Sequence, residues 1–344
     1  MDDRAAGSWT DAAFGAHLAK LLEASRVRVV GSRRLTGGAI QHNDRLDVEV
    51  DGGPWAGTRA IVVRSDAASR VAASRTRAQE FALLRAASAG GVRVPPPIAF
   101  DAGDVDRAPF MLMGFVAGEA SGHRLTKQAG DHAGLLRTIG ANLARLHAVP
   151  LAQPSLAFLG APADDPTREL IASYRESVTT WRARTDDARP VIEWTLRWLE
   201  AHLPAPAPPV LVHRDYRVGN LLVDGGELAA TLDWEFAGVG DPREDLGWFA
   251  APCWRFARPD REAGGLGELD DLLDGYNAAA GTRYAARDLA YWQVLGQLRW
   301  AVVALQQALR FLDGGERSLE LALTGRLLPA LEWRLLAMTG DTFG

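Results

Sequence analysis

The chain has 344 residues, 47% of them hydrophobic and 24% charged, enough to bury a core as one large domain or two of ordinary size. A formal net charge of −5 argues against a nucleic-acid footprint or a membrane-surface patch, and no apolar run approaches the roughly 20 residues that span a bilayer. Cys253 is the only cysteine, which excludes an internal disulfide and a cysteine-cluster metal site; the acidic, Ala-rich start MDDRAAGSWTDAAF lacks the order of a signal peptide, so a cytoplasmic location is expected.

Residues 9–24 read as an amphipathic helix, with Phe14, Leu18, Leu21 and Leu22 at helical spacing behind a Thr10-Asp11 cap. From Val27 the pattern becomes strand-like: VRVV, RLDVEV and RAIVVRS are separated by glycine turns, as in an antiparallel sheet. A helix over about 75–88 interrupts these strands, and PPPIAF then leads to a second strand, PFMLMGFV. Beyond Gly118 the composition turns helical, at about 130–148, 167–184 and 190–203. A Pro-rich bridge, PAPAPP, precedes a small β-hairpin of VLVH, NLLVD, a Gly225-Gly226 turn and ELAATLD. Long helical segments follow near 266–280, 286–312 and 316–338. The pattern predicts an α+β chain: an N-terminal helix (1–26), a β-rich lobe (27–117) and a larger helical lobe (118–344), divided near Gly114–Gly118.

The segment His213-Arg214-Asp215-Tyr216-Arg217-Val218-Gly219-Asn220 has the H-R-D-x-x-x-x-N spacing of a kinase catalytic loop, and Asp233 ends the next strand. Asp and Asn are also ordinary turn residues, but the framing by VLVH, NLLV and ATLD makes that reading poor. A loop leaving one strand presents Asp215 to an acceptor hydroxyl. Asn220 offers an amide oxygen and Asp233 a carboxylate, hard donors suited to Mg²⁺ that also holds phosphate oxygens.

The motifs LVHRDYRVGNLLV and TLDWEFAGVGDPREDLGW resemble those of the aminoglycoside phosphotransferase/choline kinase-like family of small-molecule kinases. They also resemble kinase domains fused to acyl-CoA dehydrogenases, and the likeness runs over about residues 28–255. It implies a bilobal, protein-kinase-like fold that uses ATP and Mg²⁺ to phosphorylate a hydroxyl of a small molecule. Asp215 then matches the catalytic aspartate, His213 the residue bracing its loop, Asn220 and Asp233 the metal ligands, and Asp245 an acidic support beneath the loop. Trp234-Glu235 stands where protein kinases have Phe-Gly, and Glu235 is a further candidate to approach the metal or the acceptor.

In the first lobe, Leu35–Asn43 resembles the family's nucleotide-covering loop, with Gly37 and Gly38 allowing backbone N–H groups near phosphates and Asn43 adding a donor. Arg64 occupies the strand position where the family usually has lysine, and Glu80 matches the helix glutamate that pairs with that cation. Met111–Val116 aligns with the hinge whose backbone pairs with adenine, making Met113 and Phe115 nucleotide-site candidates. The Arg64 substitution keeps a second reading open, a nucleotide-binding pseudokinase or scaffold without phosphotransfer activity. A protein kinase is disfavoured, because no activation segment ending in A-P-E follows Asp233.

The segment after Asp233 mixes Asp241, Glu244, Asp245, Asp260 and Glu262 with Arg243, Arg255, Arg258 and Arg261, and interleaves Trp248, Trp254 and Phe256. That mixture suits an apolar, neutral or anionic acceptor at least as well as a polycationic aminoglycoside.

Overall fold

Alternating apolar side chains between glycine turns build the first sheet. In the computed structural model, which describes residues 9–35, 41–66, 74–104, 107–128, 130–314 and 318–340, helix α1 (Ala12–Leu21) starts at Asp11, whose side chain caps the Ala13 N–H. Strands β1 (Arg26–Arg34), β2 (Gln41–Asp51), β3 (Gly57–Asp66), β4 (Pro97–Asp101) and β5 (Phe110–Gly114) form an antiparallel sheet in the order β1-β2-β3-β5-β4. Phe14 and Leu18 of α1 pack on Leu46, Val48, Ile61 and Val63, so the period-2 residues of β2 and β3 make one face of the sheet a core. Helix α2 (Arg77–Ala89) begins with a capping box between Thr76 and Gln79.

The chain divides into two units, Met1–Gly118 with Ala229–Phe236, and Glu119–Leu228 with Ala237–Gly344. In the second unit, α3 (Gly122–Leu125), α4 (Ala133–His147), α5 (Pro166–Thr185) and α6 (Pro190–Ala201) precede two short strands, β6 (Val210–Val212) and β7 (Leu221–Asp224), and β8 (Glu227–Thr231) runs on into the segment that clusters with the first unit. Strand β9 (Gly238–Gly240) and helices α7 (Arg243–Ala250), α8 (Leu269–Ala280), α9 (Ala290–Leu312), α10 (Leu319–Gly325) and α11 (Leu328–Thr339) complete the second unit. Glycines set the closest helix approach: a Cβ on Gly140 of α4 would lie 2.1 Å from the Leu272 carbonyl of α8, and one on Gly275 of α8 would lie 2.0 Å from the Arg137 carbonyl.

Two local expectations change. VLVH does not belong to one hairpin with NLLVD and ELAATLD; β6 pairs with β9, whereas β7 pairs with β8. The single helix expected near 316–338 is two helices, because Pro329 has no N–H to continue the ladder and instead sits in the first turn of α11. Among the described residues, no helix is long and apolar enough to cross a membrane.

Candidate active site

Strand alternation sends Val63 into the core and Arg64 to the opposite face, where Arg64 is only 5% exposed. A buried guanidinium needs acidic partners. Its Nε lies 3.0 Å from Glu80 Oε1, and its Nη2 donates to Asp233 Oδ1 at 2.8 Å. Asn43, directly opposite Arg64 on β2, accepts a longer bond from Nη1 at 3.4 Å. Burial alone would disfavour the Arg64 charge, but Glu80, then Asp233 and Glu235, more than offset it and push the pKa upward. Glu80 also binds Arg77, whose Nε lies 2.8 Å from Asp66.

Asp233 has φ +61, a left-handed conformation that costs a residue with a Cβ about 1–2 kcal/mol. Its neighbour Glu235 accepts from Gln41 Nε2 at 2.9 Å, and the Glu235 carbonyl accepts from the Arg75 N–H at 2.8 Å. Burial, reinforced by the nearby Asp233 charge, raises the Glu235 carboxyl above its ordinary range. Met113 is buried on β5 opposite Val62, while the Phe115 N–H donates to the Ala60 carbonyl at 3.0 Å and its ring lies 4.2 Å from the Arg45 guanidinium. Gly37 and Gly38 lie outside the described residues.

In the second unit the loop after β6 is built around a buried carboxylate. Asp245, in the first turn of α7, accepts the backbone N–H groups of His213 and Arg214, each at 2.7 Å. Arg214 has φ +62, and its side chain donates to the Val239 carbonyl at 2.8 Å, so both ends of this strained residue are tied down. Beneath Asp245, His147 Nε2 lies at 3.2 Å, and His147 Nδ1 meets the Tyr276 hydroxyl at 2.8 Å. Burial by itself would raise the Asp245 pKa; the His147 hydrogen bond and charge and the His213 N–H bond outweigh it and hold the carboxyl below its ordinary value.

That clamp aims Asp215. The fully buried His213 accepts the Asp215 N–H at Nδ1, 3.2 Å away. Three donors converge on the Asp215 carboxylate: Asn220 Nδ2 at 2.6 Å, Trp248 Nε1 at 3.0 Å and Arg217 Nε at 3.2 Å. Asn220 Nδ2 also reaches the Asp215 carbonyl at 2.9 Å, which turns its amide oxygen away from Asp215. Cys253 is a poor nucleophile, because burial pushes its thiol pKa up.

The sequence profile of the Phosphotransferase enzyme family matches residues 33–313, which include both clusters. This chain belongs to that family. The chain is 28% identical over 183 residues to acyl-CoA dehydrogenase family member 10 of Mus musculus, a match covering 49% of this chain and 16% of the mouse protein. The chain thus spans less than a fifth of that relative's length. A Ralstonia eutropha structure assigned to the aminoglycoside phosphotransferases shares the fold with TM-score 0.75, 18% identity and coverage of 96% of this chain and 98% of that one. So does a thermostable mutant of an aminoglycoside phosphotransferase in ternary complex with AMP-PNP and hygromycin B, with TM-score 0.63, 16% identity and coverage of 96% and 98%.

Each unit of the chain gathers predicted residues: Asn43, Arg64, Glu80 and Asp233 in the first, and His213, Asp215, Asn220 and Asp245 in the second. Met113 and Phe115 are held instead by the β5 ladder and the Ala60 carbonyl. The sequence reading did not connect Trp248 or Arg217 to Asp215, nor Gln41 to Glu235. Only Trp248 carried a usable signal, standing three residues after Asp245 on the same short helix. An amide oxygen and a carboxylate are hard donors of the kind Mg²⁺ takes. Among the described residues no cluster of three or more His, Cys, Asp or Glu side chains could hold a metal, whereas Mg²⁺ bound mainly by phosphates and water needs only one or two protein oxygens.

Proposed function

We propose that this chain is an ATP- and Mg²⁺-dependent phosphotransferase that moves the γ-phosphoryl group of ATP to a hydroxyl of a small molecule in the cytoplasm. The observation that carries this reading is Asp215, a partly exposed carboxylate on a loop clamped by buried Asp245 and aimed by three donors. Family membership supports it, as does the AMP-PNP held by a fold neighbour.

Asp215 orients the acceptor hydroxyl and takes its proton. The hydroxyl oxygen bonds to the γ-phosphorus as the bond to the bridging oxygen breaks, and ADP departs with that electron pair. His213 holds the Asp215 backbone throughout. Arg64, positioned by Glu80, faces the α/β-phosphates with Asn43 opposite it on β2; Gly37 and Gly38 are the candidates for covering the phosphates, and Met113 and Phe115 mark the adenine end. Bound Mg²⁺ supplies charge neutralisation at the phosphates, with the Asn220 amide and the Asp233 carboxylate as its protein oxygens. Arginine in place of lysine does not by itself favour nucleotide binding without transfer, because Arg64 keeps the ion pair to Glu80.

The test is ADP release across aminoglycosides, amino alcohols, sugars and hydroxyacyl thioesters, with Asp215→Asn as control. The variant is expected to lose about 10²–10⁴-fold in turnover while still binding nucleotide. Full activity in Asp215→Asn would remove this residue from its role.

A further inference from the structure

Beside Asp215 the second unit holds a cluster of indoles in which Trp248 and Trp254 are buried and Trp300 is the partly exposed member. The ring centroids of Trp248 and Trp254 are 5.1 Å apart, and those of Trp254 and Trp300 are 5.0 Å apart. Arg217 lies over Trp254 at 4.6 Å while its Nε reaches Asp215. Arg299 of α9 lies over Trp248 at 4.7 Å. Half-buried, Arg299 has no acceptor within hydrogen-bond distance and no carboxylate within 4 Å among the described residues. Glu244, which feels its charge, is paired with Arg214 at 3.6 Å instead. The buried indole N–H of Trp254 also lacks a partner among the described residues.

The Arg299 nitrogens are not among the buried unsatisfied atoms, so a guanidinium with no acidic partner among the described residues is open to the oxygens of an anionic ligand. Arg255 shows the contrast, since its donors are taken by the carbonyls of Ala250 and Pro259 and it pairs with Glu262 at 3.4 Å. The Trp248 ring links Arg299 to the reacting end: its N–H holds Asp215 and its face carries the guanidinium, so the two charges lie within about 10 Å of each other.

We propose that the acceptor is a hydroxylated organic anion with an apolar or flat body, its carboxylate or phosphate bound by Arg299, its body against the partly exposed Trp300 and its hydroxyl at Asp215. This rests on the phosphotransfer reading for its reacting end and on Arg299 for its charged end. A polycationic acceptor meets the wrong sign of charge at Arg299.

A matched trio tests the charge: 4-(hydroxymethyl)phenylacetate, its methyl ester, and 4-(aminomethyl)benzyl alcohol. ADP release with Mg·ATP is measured for each, together with binding by tryptophan quenching, on the full chain. The anion is expected to exceed both others in kcat/KM by about tenfold or more, for one charge-assisted hydrogen-bonded contact. Arg299→Gln should raise KM for the anion about 10–100-fold, and Arg299→Lys should recover part of that loss, which a packing defect would not do. Preference for the ester or the amine, or an anion preference that survives in Arg299→Gln, overturns the charge assignment and leaves phosphotransfer standing. If no member of the trio releases ADP, quenching decides: saturable binding of the anion that Arg299→Gln abolishes supports the site and counts against phosphotransfer to this acceptor, whereas its absence in the wild type overturns the site.

Discussion

Trp248 spends its indole N–H on Asp215 Oδ1 at 3.0 Å, and Asn220 and Arg217 take up the rest of the carboxylate's inner surroundings. A carboxylate held by three donors loses less rotamer freedom when it must point at a hydroxyl, as the role proposed for Asp215 requires. Trp248→Phe keeps the ring and deletes one donor. Turnover should fall about 10-fold, up to 100-fold, with nucleotide affinity unchanged. Steady-state kinetics beside nucleotide titration separate those outcomes, and undiminished kcat would make Trp248 only a packing residue. Asp245 acts one layer deeper, through the backbone. Its carboxyl pKa is lowered on folding, so its contribution to stability is complete above the ordinary value of 3.8 and is lost as pH falls further. Asp245→Asn should therefore cost about 2–4 kcal/mol at pH 7, with the gap to wild type closing below about pH 4. Chemical denaturation at several pH values measures it; a gap independent of pH would mean that the charge does not matter.

At the scale of elements, glycine sets how closely α4 and α8 approach, because added Cβ atoms would fall inside the carbonyls of Leu272 and Arg137. Gly140→Ala has to push the helices apart, and a loss of about 2–4 kcal/mol in urea unfolding is expected, more than the gain in helix propensity returns. Equal or greater stability would show that the helices slide freely. Periodicity revealed α4 in advance, since Leu135, Leu136, Ile139, Leu143 and Leu146 are all buried, and it revealed the alternation of β2 and β3. It did not reveal β9, because Gly238-Val239-Gly240 carries one apolar side chain and no alternation to read. The motif spacing exposed Asp215, Asn220 and Asp233, which are close in sequence. Trp248 and Asp215 are 33 residues apart, and Gln41 and Glu235 are 194 apart; nothing local encodes such contacts. Arg64 was legible as a cation, but not as one buried against two carboxylates, because burial depends on the packing of α2 and the segment at 229–236.

At the scale of the whole chain, sequence order and spatial grouping part company at Ala229–Phe236, which clusters with Met1–Gly118 although the chain on either side belongs to the second unit. These eight residues supply the first unit with the Thr231 N–H to the Arg93 carbonyl, the Glu235 carbonyl to Arg75, the Glu235 carboxylate to Gln41, and the Asp233 carboxylate to Arg64. Neutral bonds of this kind are worth about 1 kcal/mol each and those to charged groups about 1.5–3, so their sum rivals the 5–15 kcal/mol that holds a domain together. A fragment ending at Gly118 leaves the buried Arg64 with Glu80 but without Asp233, and Gln41 without Glu235. It should not fold alone: its amide spectrum should be poorly dispersed, and its unfolding should lack a cooperative transition. The same fragment carrying residues 229–236 on a flexible linker should gain dispersion and a measurable denaturation midpoint. A well-dispersed, cooperatively unfolding 1–118 would show that α1 and the five-stranded sheet suffice, and that the returning segment is held by the first unit without helping to hold it.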